Sequence, residues 1–147
     1  TITPTASASA TASATATVPV VSFAEIEQTI FRTSCAVQFC HDSVSGGFSG
    51  NLVLEPGRAY AELVNHAPDN PSAATMGFKR VVPGDTANSF LLLKVCDVIH
   101  SRDLCPTLLP LINPILGSRM PLVGPPISNE AVAAIHAWIL RGAAESE

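Results

Sequence analysis

Six of the twelve prolines in this 147-residue chain lie close together, between positions 106 and 126. Proline has no backbone N–H and its ring clashes with the preceding helical turn, so it breaks helices. The six residues are Pro106, Pro110, Pro114, Pro121, Pro125 and Pro126. Their spacing rules out a regular helix over 106–127. The chain is therefore expected to fold as short helices around long loops.

The segment from Ser22 to about Ser34 has the pattern of a helix. Ser22 and Glu25 form a capping box, in which the serine hydroxyl caps the helix and the glutamate reaches back to the cap. Behind the cap, apolar side chains fall on one helical face: Phe23, Ile26, Ile30 and Phe31. The sequence predicts a first helix that buries this face.

Two shorter helices are predicted in the middle of the chain. One spans about 58–64, and the other is capped by Asp85 or Thr86 and runs to Val95. No alternating apolar and polar run inside residues 21–147 predicts a sheet. The sequence therefore indicates a mainly α domain with long loops rich in proline and glycine.

A last helix is predicted after the proline-rich segment. Ser128 or Asn129 caps it, and Gly142 stands where a C′ glycine ends a helix. Its apolar stripe is formed by Val132, Ile135, Trp138 and Ile139. We expect this stripe to pack across the first helix, on the face that carries Phe23 and Ile30.

Residues 1–20 form a separate segment in front of a single domain over residues 21–147. From Thr5 to Thr17 every odd position is Thr or Ser and every even position is Ala. In an extended chain this alternation places hydroxyls on one face and methyl groups on the other. The tract is interpreted either as a disordered, O-glycosylated spacer or as a strand added to a neighbouring copy. We favour the second, an extended tail docked on another copy.

Charge and hydropathy exclude two classes of function. The net charge of −4 and the pI near 5.5 argue against nucleic-acid binding, because phosphates demand Lys and Arg. No run of 18 or more apolar residues is present, so the sequence contains no transmembrane segment. Only Lys79 and Lys94 are lysines, so a partner protein would have to be met through apolar or mixed contacts.

The most informative stretch is Cys35-Ala-Val-Gln-Phe-Cys40-His41. Covalent haem attachment needs two thiols for two vinyl groups and a histidine directly after the second thiol. The usual spacing has two residues between the cysteines, whereas four lie between Cys35 and Cys40. A longer insert can bulge out while the cysteines and His41 keep their places. With only 5% aromatic residues, the chain also has few rings to centre a core, and a bulky apolar cofactor would supply that centre.

Three alternatives stay open for this stretch. Cys35 and Cys40 could form a small disulfide beside an ordinary surface His41. All three could bind zinc with a fourth ligand, although no second Cys/His pair of finger spacing follows. A thioredoxin-type redox pair would need C-x-x-C beside a βαβ unit, and neither is present.

Further motifs follow in order along the chain. They are Ile30 to Ala36, Cys40-His41, Ala59-Tyr60 with Leu63 to Asn65, Arg80 to Asp85, Ser89 to Leu91 with Lys94, Ser118 to Pro121, Ile127-Ser128, and Ala137 to Ala143. Together they resemble the single-haem c-type cytochrome domains that are abundant in planctomycete and myxobacterial-type proteins. The resemblance covers about residues 23–143 and leaves out the tail.

The resemblance implies a cytochrome c-like fold with one covalent haem c. His41 would be one axial ligand of the iron, and Met120, in the Met-Pro of the proline-rich loop, would be the second. Either His66 or His100 could replace Met120, which would lower the reduction potential. His136 falls off the apolar stripe of the last helix, so it is predicted to be solvated.

The remaining cysteines, Cys96 and Cys105, are not followed by histidine, so neither belongs to a second haem motif. A disulfide between them would close a short insertion. Such a bond fits an oxidising, extracytoplasmic location, which haem attachment also requires.

These features predict electron transfer to and from redox partner proteins, and not an enzyme. An iron with both axial positions filled does not readily bind a substrate. Copies joined through their tails could also form an extracellular filament. Two alternatives remain: an open-site haem enzyme or sensor of peroxidase type, in which Met120 is not bound, and a secreted domain without haem that disulfides stabilise.

Overall fold

The computed structural model describes residues 20–45, 49–97, 99 and 101–146. Within these ranges the protein is mainly helical, which confirms the mainly α class. In chain order the α-helices are α1 (Phe23–Ile26), α2 (Ala59–Leu63), α3 (Pro71–Thr75), α4 (Phe90–Val95) and α5 (Asn129–Leu140). The tail predicted over residues 1–20 lies outside the described residues except for Val20, and so does His100.

The capping box predicted for the first helix is present. The Glu25 N–H donates to Ser22 Oγ at 3.3 Å, and the Ser22 N–H donates to the Glu25 carboxylate at 2.9 Å. Beyond Ile26 the chain continues as a π-helix over Glu27–Cys35, in which N–H groups pair with carbonyls five residues back. The predicted end near Ser34 is therefore right to within one residue, but the winding is not that of an α-helix.

Two threonine hydroxyls compete with the backbone for carbonyl groups in the π-helix. Thr29 Oγ1 donates to Glu25 O at 2.6 Å, and Thr33 Oγ1 donates to Thr29 O at 2.7 Å. A hydroxyl that bonds the carbonyl four residues back weakens the ordinary α-helical pairing of that carbonyl. At the end of the segment the Ala36 N–H pairs with Phe31 O, five residues back, at 2.7 Å.

Helix α5 packs against α1, as the apolar stripes predict. The ring centroids of Phe23 and Trp138 are 5.0 Å apart, and both side chains are buried. Trp138 Nε1 donates to Ala144 O at 2.8 Å, so its one polar atom is satisfied inside the core. Ser128 caps the helix, and Gly142 ends it with φ +103°, a conformation that favours glycine.

The middle of the chain follows the sequence prediction only in part. Helix α2 falls within the predicted span 58–64, whereas the sequence prediction contains no counterpart of α3. A signal for α3 is nevertheless present. Asn70 caps the helix by accepting from the Ala73 N–H at 2.9 Å, and Pro71 occupies the first position.

Helix α4 ends where predicted but begins later, because its N-cap residue is Ser89 and not Asp85 or Thr86. The Asp85 carboxylate accepts from the N–H groups of Ala87 and Asn88 at 3.0 and 3.1 Å. Asp85 therefore holds the turn before the helix and does not cap the helix itself.

The proline-rich segment contains no α-helix, as predicted, and forms two 3-10 turns at Leu109–Leu111 and Pro114–Leu116. Strand pairing in the described ranges is limited to three isolated bridges: Val64–Val81, Lys79–Ser89 and Val82–Asp85.

Cys96 and Cys105 form the predicted disulfide, with a Cα–Cα distance of 6.3 Å. No helix among the described residues is long and apolar enough to cross a bilayer.

Candidate cofactor site

After the π-helix the chain turns back on itself, so that His41 comes next to Cys35. The His41 N–H donates to Cys35 O at 3.0 Å, and the Cys40 N–H donates to Val37 O at 2.9 Å. Phe39, inside the four-residue insert, has φ +67° and an exposed fraction of 77%. The insert bulges outward, and backbone hydrogen bonds hold the two cysteines and the histidine in one loop, here called the cysteine loop (residues 35–41).

The imidazole of His41 is fixed by the chain that follows. Its Nδ1 lies 3.0 Å from Leu52 O, and the Leu54 N–H donates to His41 O at 2.8 Å. A carbonyl oxygen only accepts, so Nδ1 carries the proton and Nε2 keeps its lone pair. Burial lowers the pKa of His41, the bond to the carbonyl opposes this, and the charges of Arg80 and Lys94 add to the lowering. The ring is therefore neutral at pH 7, the form in which histidine binds metals.

Arg80 supports the segment that carries Leu52. Its guanidinium is buried and donates to the carbonyl oxygens of Gly50 and Asn51 at 3.1 and 3.3 Å. On its other side it bonds Glu62 O at 2.9 Å and the Glu62 carboxylate at 3.2 Å. Arg80 thus ties the segment to α2, and the carbonyl that orients the imidazole depends on this tie.

Cys35 and Cys40 are free thiols, so the small disulfide considered from the sequence is not formed. Cys35 is buried, whereas Cys40 is exposed. Burial and the nearby Cys40 raise the pKa of the Cys35 thiol to about 11. In the described ranges no group of three or more His, Cys, Asp or Glu side chains is placed to hold a metal ion.

Met120 lies in the proline-rich segment and is attached to α4. Its N–H donates to Lys94 O at 2.6 Å, and the residue is partly buried. The Lys94 ammonium donates to Leu116 O at 3.0 Å. Both ends of the stretch 116–120 are therefore bonded to the same residue of α4.

A groove of about 480 Å³ opens between the π-helix and the chain beyond Met120. Its lining residues are Thr29, Ile30, Thr33, Ser34, Val37, Pro121, Val123, Pro125, Pro126, Ile127, Ser128 and Ala131. Val37 belongs to the cysteine loop and Pro121 follows Met120, so both predicted ligand segments reach this groove. His41 and Met120 themselves are not among its lining residues.

Large apolar side chains are exposed on the two segments that meet at the groove. The exposed fraction is 77% for Phe39 and 86% for Val44 on one segment, and 66% for Leu122 and 86% for Val123 on the other. Each of the two segments that reach the groove thus exposes large apolar side chains to solvent.

The other candidate ligands differ in exposure. His66 is exposed, and Met76 has an exposed fraction of 51%. His136 is partly buried on α5, and this burial lowers its pKa. The prediction of a solvated His136 is therefore wrong in part, because the side chain sits at the border of the buried stripe beside Ile135.

Sequence reasoning misses two residues of the site, Arg80 and Leu52. Arg80 belongs to a recognised motif, but nothing in the sequence marks it as a buried hydrogen-bond donor. Leu52 acts through its main-chain oxygen, which every residue has, so no sequence signal exists for it.

Comparisons with protein-family models, with curated proteins and with solved structures find no match to this chain. A function therefore has to be inferred from the residues and contacts of the site.

Proposed function

We propose that this protein carries one covalently bound haem c and transfers electrons. The observation that carries the proposal is the His41 imidazole, held through Nδ1 by Leu52 O at 3.0 Å, in the same loop as two free thiols. A histidine that binds a metal donates its other ring N–H to a partner of this kind. Attachment of haem c requires the two thiols and the histidine in this order.

Formation of the two thioether bonds consumes only the two thiols and the two vinyl groups. Cys35 and Cys40 would each hold the porphyrin through a thioether, formed by addition of the S–H group across a vinyl group. In each case sulfur bonds to one vinyl carbon and hydrogen to its neighbour, so nothing is oxidised or reduced. Because burial raises the pKa of Cys35 to about 11, this thiol keeps its hydrogen at neutral pH. When bound, the haem supplies a one-electron iron couple.

Met120 is the proposed second axial ligand. Its segment is bonded to α4, and Pro121 beside it lines the groove that the cysteine loop also reaches. Methionine ligation raises the reduction potential, and two protein ligands leave no open position for a substrate. We therefore infer electron transfer and not catalysis. The exposed His66 is a poorer candidate for this position.

The proposed fold is cytochrome c-like and the proposed location is extracytoplasmic. The π-helix that continues α1 leads into the cysteine loop, α5 packs against α1, and the proline-rich segment forms the opposite side of the groove. The Cys96–Cys105 disulfide is of a kind that persists in oxidising compartments. Redox partner proteins would contact the exposed apolar side chains near the groove, since Lys79 and Lys94 are the only lysines.

Production of the chain in cells that attach haem c tests the proposal. We expect an intact mass raised by one haem and the reduced-minus-oxidised spectrum of a haem c. The double variant Cys35→Ala/Cys40→Ala should lose the covalent mass increase. His66→Gln, at an exposed histidine outside the site, should retain both signals. A colourless wild-type protein with the mass of the bare chain would refute the proposal.

A further inference from the structure

Lys94 makes two bonds to the chain that carries Met120, one from its backbone and one from its side chain. Lys94 O accepts the Met120 N–H at 2.6 Å, and Lys94 Nζ donates to Leu116 O at 3.0 Å. We propose that Lys94 is a positioning residue that keeps the stretch 116–120 attached to α4, and with it Met120 in place beside the candidate site. This inference rests on the proposed function, in which Met120 fills the sixth position of the iron.

The ammonium of Lys94 has few other partners. None of the ion pairs among the described residues includes it: these join Arg58 to Glu62 and Arg80 to Glu62 and Asp69. The ammonium lies 5.3 Å from the centroid of the Phe90 ring, and the residue is partly buried. A cation in this position depends on the carbonyl that it bonds, since that bond replaces part of its lost hydration.

Gly117 allows the close approach of this ammonium. A Cβ atom at this position would lie 3.0 Å from Lys94 Nζ, which is closer than such contacts normally are. Gly117 also has φ +80°, which side chains other than that of glycine rarely adopt. The small size of glycine and its tolerance of a positive φ therefore both favour the bond between Lys94 and Leu116.

Asn113 holds the turn before Gly117 through its side chain, whereas the residues after the turn depend on their bonds to Lys94. Asn113 Oδ1 accepts from the N–H groups of Ile115 and Leu116 at 2.9 and 3.3 Å. Beyond this turn, the Met120 N–H makes a second bond from the stretch 116–120 to α4. Loss of the ammonium would leave the stretch attached to α4 through the Met120 N–H alone, while Asn113 still holds Leu116.

Closure of this stretch would select between the two haem functions considered from the sequence. With the stretch attached, Met120 would be held as the second protein ligand of a bound haem, which favours electron transfer. With the stretch loose, Met120 would no longer be held for that role, and small ligands could bind instead, as in a peroxidase or a sensor. Lys94 would in this way set the class of chemistry without touching the iron.

The chain offers a matched control, because Lys79 is its only other lysine and is exposed. We would compare Lys94→Met and Lys79→Met, each of which removes one ammonium and keeps an unbranched apolar side chain. In the haem-free protein the readout is hydrogen exchange of the Met120 amide. In the haem-loaded protein the readouts are the near-infrared methionine–iron band and the rate of carbon monoxide binding.

We expect Lys94→Met to speed exchange of the Met120 amide and carbon monoxide binding by about tenfold or more, the effect of losing one charged hydrogen bond. The methionine–iron band should weaken as well. Lys79→Met should behave as the wild type. Equal exchange rates and equal carbon monoxide rates in the two variants would overturn the proposal.

Gly117→Ala provides a second route to the same state, should Lys94→Met fail to fold. The added methyl group crowds the ammonium and weakens its bond to Leu116 O, so exchange of the Met120 amide should again be faster, and an unchanged rate would count against the proposal. A wild-type protein without haem would overturn the proposed function. In that case exchange in the haem-free variants alone decides whether Lys94 holds the stretch.

Discussion

Arg80 and Arg58 both pair with the Glu62 carboxylate, at 3.2 and 3.3 Å, but their surroundings differ. The exposed fraction of the side chain is 8% for Arg80 and 52% for Arg58. Arg80 also donates to the backbone next to Leu52, whose oxygen orients the histidine of the site. The two ion pairs share the Glu62 carboxylate, but the pair with Arg80 has a structural role and the pair with Arg58 has a minor one.

We expect Arg80→Gln to lower the free energy of unfolding of the haem-free protein by about 3 kcal/mol, because it leaves buried acceptors without a donor. Arg58→Gln should cost less than about 1 kcal/mol, as exposed ion pairs usually do. Urea denaturation followed by circular dichroism measures both values. Equal losses in the two variants would show that burial of Arg80 does not matter.

Burial of two histidines makes stability depend on pH. It lowers the pKa of His41 and of His136 below the ordinary value of about 6.5. Below about pH 6.5 the unfolded chain therefore binds more protons than the folded chain. The free energy of unfolding should be highest above that pH and should fall as the pH drops toward the folded-state pKa values.

The contribution of one histidine can be separated by substitution. In the haem-free protein, His136→Gln should reduce the loss of stability between pH 7 and pH 5, measured by urea denaturation at each pH. The exposed His66 provides the control, since His66→Gln should leave the slope unchanged. If the loss of stability between pH 7 and pH 5 were unchanged in His136→Gln, burial of His136 would not contribute to the pH dependence.

At the scale of single elements, side-chain signals predict the helix ends more reliably than the winding between them. Ser22 with Glu25 and Ser128 with Gly142 mark the ends of the first and last helices, because caps and end glycines satisfy particular backbone groups. The π-helix has no such signature. Its winding depends on which carbonyl each N–H reaches, and the hydroxyl of Thr29 affects that choice only through the folded geometry.

The capping box of α1 provides a test at this scale. Ser22→Ala removes the acceptor of the Glu25 N–H, so we expect the free energy of unfolding to fall by about 1 kcal/mol. Ser34→Ala is the control, since the Ser34 hydroxyl lies 3.3 Å from the exposed Thr33 hydroxyl and caps no helix. Thermal unfolding measures both, and a similar midpoint for the two variants would contradict the prediction.

At the scale of the whole molecule, the candidate site combines residues that are far apart in the sequence. The cysteine loop, including His41, could be found from residue order alone, because the two cysteines and the histidine directly after the second one are visible in the sequence. The contributions of Leu52, Arg80 and Lys94 depend on which segments the fold brings together. Sequence order does not encode those contacts, so only the structure identifies them.

The predicted tail gives a test of assembly. We expect removal of residues 1–20 to abolish self-association while the haem spectrum stays unchanged, because the tail lies outside the domain that carries the site. A variant with an equal length of glycine and serine in place of the tail serves as the control for spacing. Sedimentation and electron microscopy measure assembly, and association that survives the deletion would refute a role of the tail.

The disulfide between Cys96 and Cys105 has a practical consequence for engineering. It joins the residue directly after α4 to the residue directly before Pro106, so it closes a short covalent loop in the chain. Ile99 in this loop has an exposed fraction of 79%, whereas Ser101 is buried. Foreign peptides or attachment tags inserted at Ile99 should be displayed to solvent, and the crosslink keeps the two ends of the loop together.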